Sequence, residues 1–256
     1  MKALIINLDG QDERLAFQAG QLDRLGIGWE RVVATTPATL MPAADDGFWL
    51  RWERPMNAAE KACLASHLGI WRRIATGDAP MLVLEDDAML FPGVVKFLSQ
   101  VAGLQGIDHI SLETRGRKKL LGRLHTAAPM RRLFQDRSGA AAYVLWPSGA
   151  DKLVARAERQ AGLADAVICA AYLQSWQADP ALAIQLDQCA PHGLAVPIAV
   201  KSSIPPTDRN ARDGMDEVMW RRFRQRRFRH QWRMALRRIA CIGRASSREV
   251  EIDTGV

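Results

Sequence analysis

The sequence predicts an α/β protein, a sheet flanked by helices, and three observations lead there. The chain opens strand, helix, strand; a well-capped helix near residue 60 runs into a short apolar strand; and that strand ends on three consecutive carboxylates. Residues 2–8 form a leucine and isoleucine run closed by Asn7, Leu8, Asp9 and Gly10, the pattern of a buried strand and its turn. Asp12 is placed to cap a helix whose Leu15, Ala19, Leu22 and Leu25 keep helical spacing up to Gly26. Residues 29–34 suit a second strand, so the opening is the start of an α/β sheet.

Residues 35–55, with three prolines, Gly47 and the pair Asp45 and Asp46, read as a long surface loop, and loops of that length often serve binding. Asn57 followed by Glu60 forms a capping box for a helix through Cys63, Leu64, His67, Ile70, Trp71 and Ile74. Residues 81–84 make another buried strand. Further strands are expected over 107–112 and 140–145, and a helix over 149–161. Residues 167–173 fit helix and strand equally. Beyond Pro191, the prolines at 197, 205 and 206 mark an extended segment before an arginine-rich tail.

At 256 residues, 48% apolar and 25% charged, the chain suits one large domain with an appendage, divided as 1–210 and 211–256. No stretch approaches the roughly 20 apolar residues of a membrane-spanning helix, and the first residues turn polar too soon for a signal peptide. The expectation is a cytoplasmic protein. Cys63, Cys169, Cys189 and Cys241 are scattered without a CxxC pair, which argues against a zinc ribbon or a dense disulfide framework. The net charge of +7 is uneven, because residues 220–244 hold ten arginines and no acidic residue.

The most informative segment is 81–92, Met-Leu-Val-Leu-Glu-Asp-Asp-Ala-Met-Leu-Phe-Pro. In α/β sheets ligands bind beyond the carboxyl ends of strands, where Glu85, Asp86 and Asp87 fall. Adjacent carboxylates repel unless a cation or hydrogen bonds compensate, and Mn²⁺ or Mg²⁺ bridging to a substrate diphosphate would do so. The same run also reads as a solvated acidic turn. Cys63 and His67, four residues apart on one helical face, make only half a metal site.

Residues 5–9, Ile-Ile-Asn-Leu-Asp, with Asp12 and Arg14, then Glu60, residues 63–67, Cys-Leu-Ala-Ser-His, and Trp71, then the acidic segment, resemble glycosyltransferase family 25 in order and spacing. Ile110-Ser-Leu-Glu113, residues 138–145 and Gly149-Ala150 extend the resemblance over about 3–190. It implies a GT-A-like nucleotide-sugar-binding sheet, a UDP-sugar donor, an inverting transfer of a hexose such as galactose, and a glycan acceptor, lipid-linked or of the lipopolysaccharide-core kind. By the same resemblance Asp87 binds the metal, with Asp86 or Glu85 reaching the ribose or assisting at the metal. Asn7 and Arg14 receive the uridine and diphosphate, though Arg14 also reads as an ordinary surface charge. Ser66 and His67 have a structural or donor-positioning role beneath the site.

Inverting transfer needs a carboxylate base. The family's aspartate, often preceded by Pro-Val, corresponds to Asp165, where Ala164 stands in place of Val. Asp165 also suits a helix cap, and Glu113, at the end of its own strand, is the other candidate.

As a helix, residues 220–244 place Arg222, Arg226, Arg229, Arg233 and Arg237 on one face and Phe228, Trp232, Ala235 and Ile239 on another, with Arg221, Arg224, Arg227 and Arg238 among the apolar positions. Such a helix suits an anionic membrane surface, and with it a peripheral place on the inner face of a bacterial membrane. A solvated extension or a docking site for an acidic partner are the alternatives. A nucleic-acid-binding role ranks lower, since the basic residues are confined to the tail and no nucleic-acid motif accompanies them. A catalytically silent scaffold is the remaining alternative.

Overall fold

The opening apolar run forms strand β1 (Ala3–Asn7), buried along its whole length. Its side chains alternate: Ala3 and Ile5 enter one apolar cluster, Leu4 and Ile6 another on the opposite face. A strand apolar on both sides requires helices on both sides, and the chain supplies them. A computed structural model describes residues 1–136, 139–198 and 215–252.

Helix α1 (Asp12–Arg24) follows, then β2 (Trp29–Val33), α2 (Ala58–Ala75) and β3 (Met81–Glu85). β2 and β3 flank β1, both parallel to it, with Ile6 opposite Glu85. The chain continues through β4 (Ala88–Leu90), α3 (Val94–Val101), β5 (His109–Ser111), β6 (Glu113–Thr114), the hairpin of β7 (Lys119–Leu124) and β8 (Met130–Gln135), and β9 (Ala142–Leu145). Then come α4 (Pro147–Ala157), α5 (Ala164–Ala170), β10 (Ser175–Ala178), β11 (Ala183–Gln185), α6 (Leu186–Cys189), α7 (Glu217–Ala240) and β12 (Ser246–Arg248).

Among the described residues nine strands make one mixed sheet in the order β12-β7-β8-β10-β5-β9-β3-β1-β2, and β4, β11 and β6 make a small second sheet. Leu22 of α1 and Val94, Phe97 and Val101 of α3 pack on one face of the large sheet. Residues of α2, α4 and α5, among them Trp71, Leu153 and Val167, pack on the other. The result is three layers, with the small sheet standing beside the strand ends that carry the acidic segment.

Local chemistry accounts for the elements read in advance. Asn57 accepts from the Glu60 amide at 2.8 Å and Glu60 accepts from the Asn57 amide at 3.1 Å, closing the capping box of α2. At α1 the expectation needs correction: Gln11 precedes the helix without a side-chain cap, and Asp12 is its first residue, where its charge favours the helix N-terminus. Gly26, at φ +65°, adopts the left-handed geometry that ends the chain's first helical segment. The ambiguous stretch 167–173 resolves as helix up to Ala170 and as a turn beyond it, in a helix that Leu163 precedes. The loop of 35–55 contains a 3₁₀ turn, Gly47–Arg51, whose Phe48 amide is accepted by Asp46.

The basic helix spans Glu217–Ala240, capped by Asp216, which accepts from the Met219 amide at 2.6 Å. Its orientation divides the arginine face expected from spacing. Phe223 is buried, Arg226 donates to the Leu50 carbonyl, and Arg237 donates to Phe134 and Cys169 carbonyls at 2.9 Å, so these turn toward the body. Phe228, Trp232, Leu236, Ile239 and Ile242 face solvent. After the helix the chain returns to the sheet, where β12 pairs antiparallel with β7. The division expected at residue 210, the prolines at 205 and 206 and Ser138 lie outside the described residues.

Helix α4 lies close on β5. A Cβ on Gly149 would stand 2.3 Å from the Asp108 carbonyl oxygen, a backbone atom that has nowhere to move because the Trp146 amide donates to it. Gly149→Ala is therefore expected to lower the free energy of unfolding by about 1–3 kcal/mol or more, measured by urea denaturation. Gly103→Ala, at a position with open space, serves as the control and should lie within about 0.5 kcal/mol of the parent.

Candidate active site

At the carboxyl ends of β1 and β3 a cavity of about 490 Å³ opens, walled by Arg14, Thr35, Ser66, His67, the three acidic residues, Arg115, Asp165, Gln185 and Asp187 among others. The middle carboxylate turns to one set of partners and the outer two to another. Asp86 is buried and accepts from Asn7 Nδ2 at 2.9 Å and Arg14 Nη1 at 3.1 Å. Asn7 is itself held, its Oδ1 accepting from Arg31 Nε at 2.8 Å. Burial raises the Asp86 pKa, and the bonds from Asn7 and Arg14 oppose the rise.

Glu85 turns the other way. Trp71 Nε1 donates to the Tyr143 hydroxyl at 2.8 Å, and that hydroxyl lies 2.9 Å from His67 Nδ1. Burial holds the Tyr143 phenol protonated far above its ordinary value, so it donates to Nδ1, and His67 Nε2–H donates to Glu85 Oε1 at 3.0 Å. A relay of three buried side chains thus fixes one oxygen of Glu85. The other accepts from Gln185 Nε2 at 3.2 Å, and the same amide lies 3.3 Å from Asp87 Oδ1. Glu85 and Asp87 therefore converge on one amide. Burial first, and the Glu85 charge second, push the Asp87 pKa up to about 7.

Two convergent carboxylates, one raised toward neutrality by burial first and by its neighbour's negative charge second, are a hard-oxygen donor set that fits Mn²⁺ or Mg²⁺. Glu85 is thus the geometric neighbour of Asp87 at such an ion, whereas Asp86, expected there with Asp87, is engaged by Asn7 and Arg14. Cys63, His67 and Glu85 also offer ligand atoms within 4.8 Å of one another. That trio does not suit zinc: His67 Nε2 already serves Glu85, and burial with surrounding carboxylates raises the Cys63 thiol well above its ordinary value.

The other expected residues fall as follows. Asn7 is buried behind the cavity wall, where it orients Asp86, while Arg14 reaches the cavity itself. Ser66 accepts from the Thr35 amide at 2.9 Å and donates to the Ala62 carbonyl at 2.9 Å, fixing the loop that borders the cavity. Asp165 lies in the first turn of α5 and lines the cavity from a layer separate from the acidic strand. It does not cap that helix, since Leu163 occupies the capping position; its Oδ1 accepts from the next amide, Ala166, at 2.7 Å. Glu113 needs correction as a base. It is fully enclosed, lines neither this cavity nor the one beside it, and accepts from the Ala141 amide at 2.6 Å beneath Gly139.

Several site residues escape sequence reasoning. Gln185 ends the three-residue β11, Arg115 donates to it and to Asp187 at 3.1 Å, and Gln18 and Gln21 of α1 donate to the Ala88 carbonyl at 2.8 Å, pinning the acidic turn. The short alternation from Ile184 to Asp187 is the one sequence feature near β11 that hints at a strand.

A family profile, glycosyltransferase family 25 (LPS biosynthesis protein), matches residues 1–168. The lacto-N-neotetraose biosynthesis glycosyltransferase LgtB of Neisseria meningitidis serogroup B is 32% identical over 108 residues, which are 41% of this chain and 39% of that protein. The chain thus matches about two fifths of that curated relative's length. Among solved structures, the inositol-1-phosphate CTP transferase from T. maritima aligns at a TM-score of 0.41 and 11% identity, over 74% of this chain and 72% of that one.

Burial pushes the Glu113 pKa up to about 8, partly offset by Lys119. The unfolded chain ionises Glu113 near its ordinary value while the folded one does not. Stability therefore falls by up to about 1.4 kcal/mol per pH unit between roughly 4.5 and 8 from this group. Glu113→Gln keeps the acceptor oxygen and removes the titration. Scanning calorimetry should find its transition at or below the parent's at pH 4.5 and above it at pH 8.

Proposed function

The chain belongs to glycosyltransferase family 25, and from that membership we propose that it transfers a hexose, galactose first among them, from a UDP-sugar to a lipid-linked or surface glycan such as lipopolysaccharide core. The observation that carries this reading is the convergence of Glu85 and Asp87 on Gln185 at the end of β3, in a cavity that also presents Arg14, Arg115 and Asp165. Support for a glycan acceptor comes from the LgtB name, which describes oligosaccharide synthesis in that protein. The three-layer sheet with its site at the strand ends is compatible with a GT-A-like donor fold.

Glu85 and Asp87 would hold Mn²⁺ or Mg²⁺, which would supply charge to the diphosphate leaving group. Arg14 and Arg115 border the same cavity and offer guanidinium groups to phosphate, Arg14 with part of its charge met by Asp86. His67, clamped by Tyr143, keeps Glu85 from rotating away. Asp165 takes the proton of the acceptor hydroxyl as that oxygen bonds to the anomeric carbon. The bond from that carbon to the β-phosphate oxygen breaks, UDP departs, and the configuration inverts.

We place the enzyme on the inner membrane surface. No helix among the described residues is long and apolar enough to cross a membrane. Helix α7 instead turns Phe228, Trp232, Leu236 and Ile239 to solvent, flanked by the exposed Arg221, Arg224, Arg227, Arg229 and Arg238. A bilayer rich in anionic lipid meets both the apolar stripe and the charge, which favours it over an acidic protein partner or a nucleic acid.

UDP release from a panel of UDP-sugars, with Mn²⁺, Mg²⁺ or chelator, tests the donor reading. One preferred donor, metal dependence and loss of release in Asp87→Ala are expected, with Asp165→Asn about 10²- to 10⁴-fold slower at similar donor KM. Absence of both UDP release and UDP binding under all metals would overturn it. Separately, cosedimentation with phosphatidylglycerol vesicles should fall in Trp232→Ser/Ile239→Ser while UDP release persists; unchanged cosedimentation would remove α7 as the anchor.

A further inference from the structure

Beside the donor cavity lies a second one of about 160 Å³, and the two share Gly139 and Asp165 as a common wall. Its remaining lining comes from β5, β8 and the residue after it, α5, the turn after α5, the start of β10 and helix α7. Three features of it are left unexplained by folding alone.

The first is a set of buried polar atoms without partners. His109 is 2% exposed, and among the described residues neither of its ring nitrogens has a hydrogen bond; Gln135 Oε1, also buried in the lining, has none either. A buried polar atom left unpaired is costly, so a group that completes them is expected in the cavity. Burial, reinforced by the Lys119 charge, pushes the His109 pKa down to about 3, so at neutral pH the ring offers one donor and one acceptor, the pairing that sugar hydroxyls satisfy.

The second feature is unneutralised positive charge. Arg132 and Arg237 both line the cavity and donate only to backbone carbonyls, Arg132 to Leu133, Leu173 and Ser175, Arg237 to Phe134 and Cys169. Neither is ion-paired among the described residues, and after burial the Arg237 charge is what most lowers the Arg132 pKa. Of the two carboxylates in the lining, Asp136 is paired with Lys119 at 2.6 Å and Asp165 stands at the wall shared with the donor cavity. An anion between the two arginines relieves their repulsion.

The third is Tyr172. It sits at φ +55°, a conformation bulky side chains rarely adopt, with 65% of its surface exposed and the Arg237 guanidinium 4.3 Å from its ring centre. Strain of that kind concentrates where a side chain is presented to a ligand.

We propose that this second cavity is the acceptor subsite and that it takes a phosphate-bearing saccharide. The anionic group lies between Arg132 and Arg237, hydroxyls meet His109 and Gln135, the ring face rests on Tyr172, and the reacting hydroxyl meets Asp165 at the wall shared with the donor. The proposal rests on the transferase reading for the role of Asp165, but the binding of an anionic sugar does not.

The test titrates the full chain with galactose 6-phosphate, methyl galactoside and inorganic phosphate. Calorimetry reads affinity, and the ring nitrogen signals of ¹⁵N-histidine report on His109. The sugar phosphate is expected to bind, shift the His109 ring signals, and lose at least tenfold in affinity in Arg237→Gln and in the exposed-site variant Tyr172→Ala. UDP affinity, measured on the same samples, reports the donor cavity and the folding of each variant. Sugar phosphate that leaves the His109 signals in place, or binds both variants as it does the parent, would overturn the proposal. Equal affinity for inorganic phosphate and the sugar phosphate would overturn its saccharide half. A protein that binds the sugar phosphate in this way but not UDP would retain the subsite and lose the donor reading instead.

Discussion

Three carboxylates in a row at the end of a buried strand repel one another, and most of what surrounds them answers that repulsion. Asp86 takes Asn7 from β1 and Arg14 from α1. Glu85 takes His67 from α2, and through it Tyr143 from β9 and Trp71 again from α2. The backbone of the turn is held by Gln18 and Gln21, and the Asp87 carbonyl accepts from the Leu186 amide at 2.9 Å, joining the small sheet to the large one. Strands and helices from all three layers thus end on one four-residue turn. Burial first, and the Glu85 charge second, drive the Asp87 carboxyl toward neutrality against the opposing bond from Gln185.

This division of partners separates roles that sequence spacing alone assigns together. A run of Glu-Asp-Asp looks like one ligand set, yet successive residues beyond a strand point in different directions, so that Glu85 and Asp87 face the cavity's far wall while Asp86 faces β1 and α1. The middle residue then acts as a brace for the other two. It sets the position of Arg14, and with it the positive edge of the cavity.

What is legible in the sequence is what local chemistry decides. The capping box at Asn57 and Glu60 needs only four residues, and helix α2 follows from it. β1 and β3 are legible because strands buried on both faces are continuous apolar runs. Gln185 is not, since a three-residue strand becomes part of the site only when β11 lies between β4 and β6. Glu113 shows the same limit from the other side: its place after a strand is readable, but not that the chain folds Gly139 over it, so close that a Cβ there would stand 2.8 Å from its Oε1. For the tail, spacing yields two helical faces without saying which one docks. Phe223 and the carbonyl partners of Arg237 decide that.

Helix α7 is held at several points along its length, by Phe223, by Arg226 on the 3₁₀ turn and by Arg237, and the strand that follows it is stitched into the sheet edge. At about 1.5 Å per residue it is a rod of roughly 36 Å and not a tether. If that rod lies on a bilayer, the height of Asp165 above the lipid is a constant of the fold. With a lipid-borne acceptor, such a geometry would act as a gauge: the glycan would be extended only when its growing end stood at that one elevation, and the register of a sugar within it would be selected by length as well as by identity.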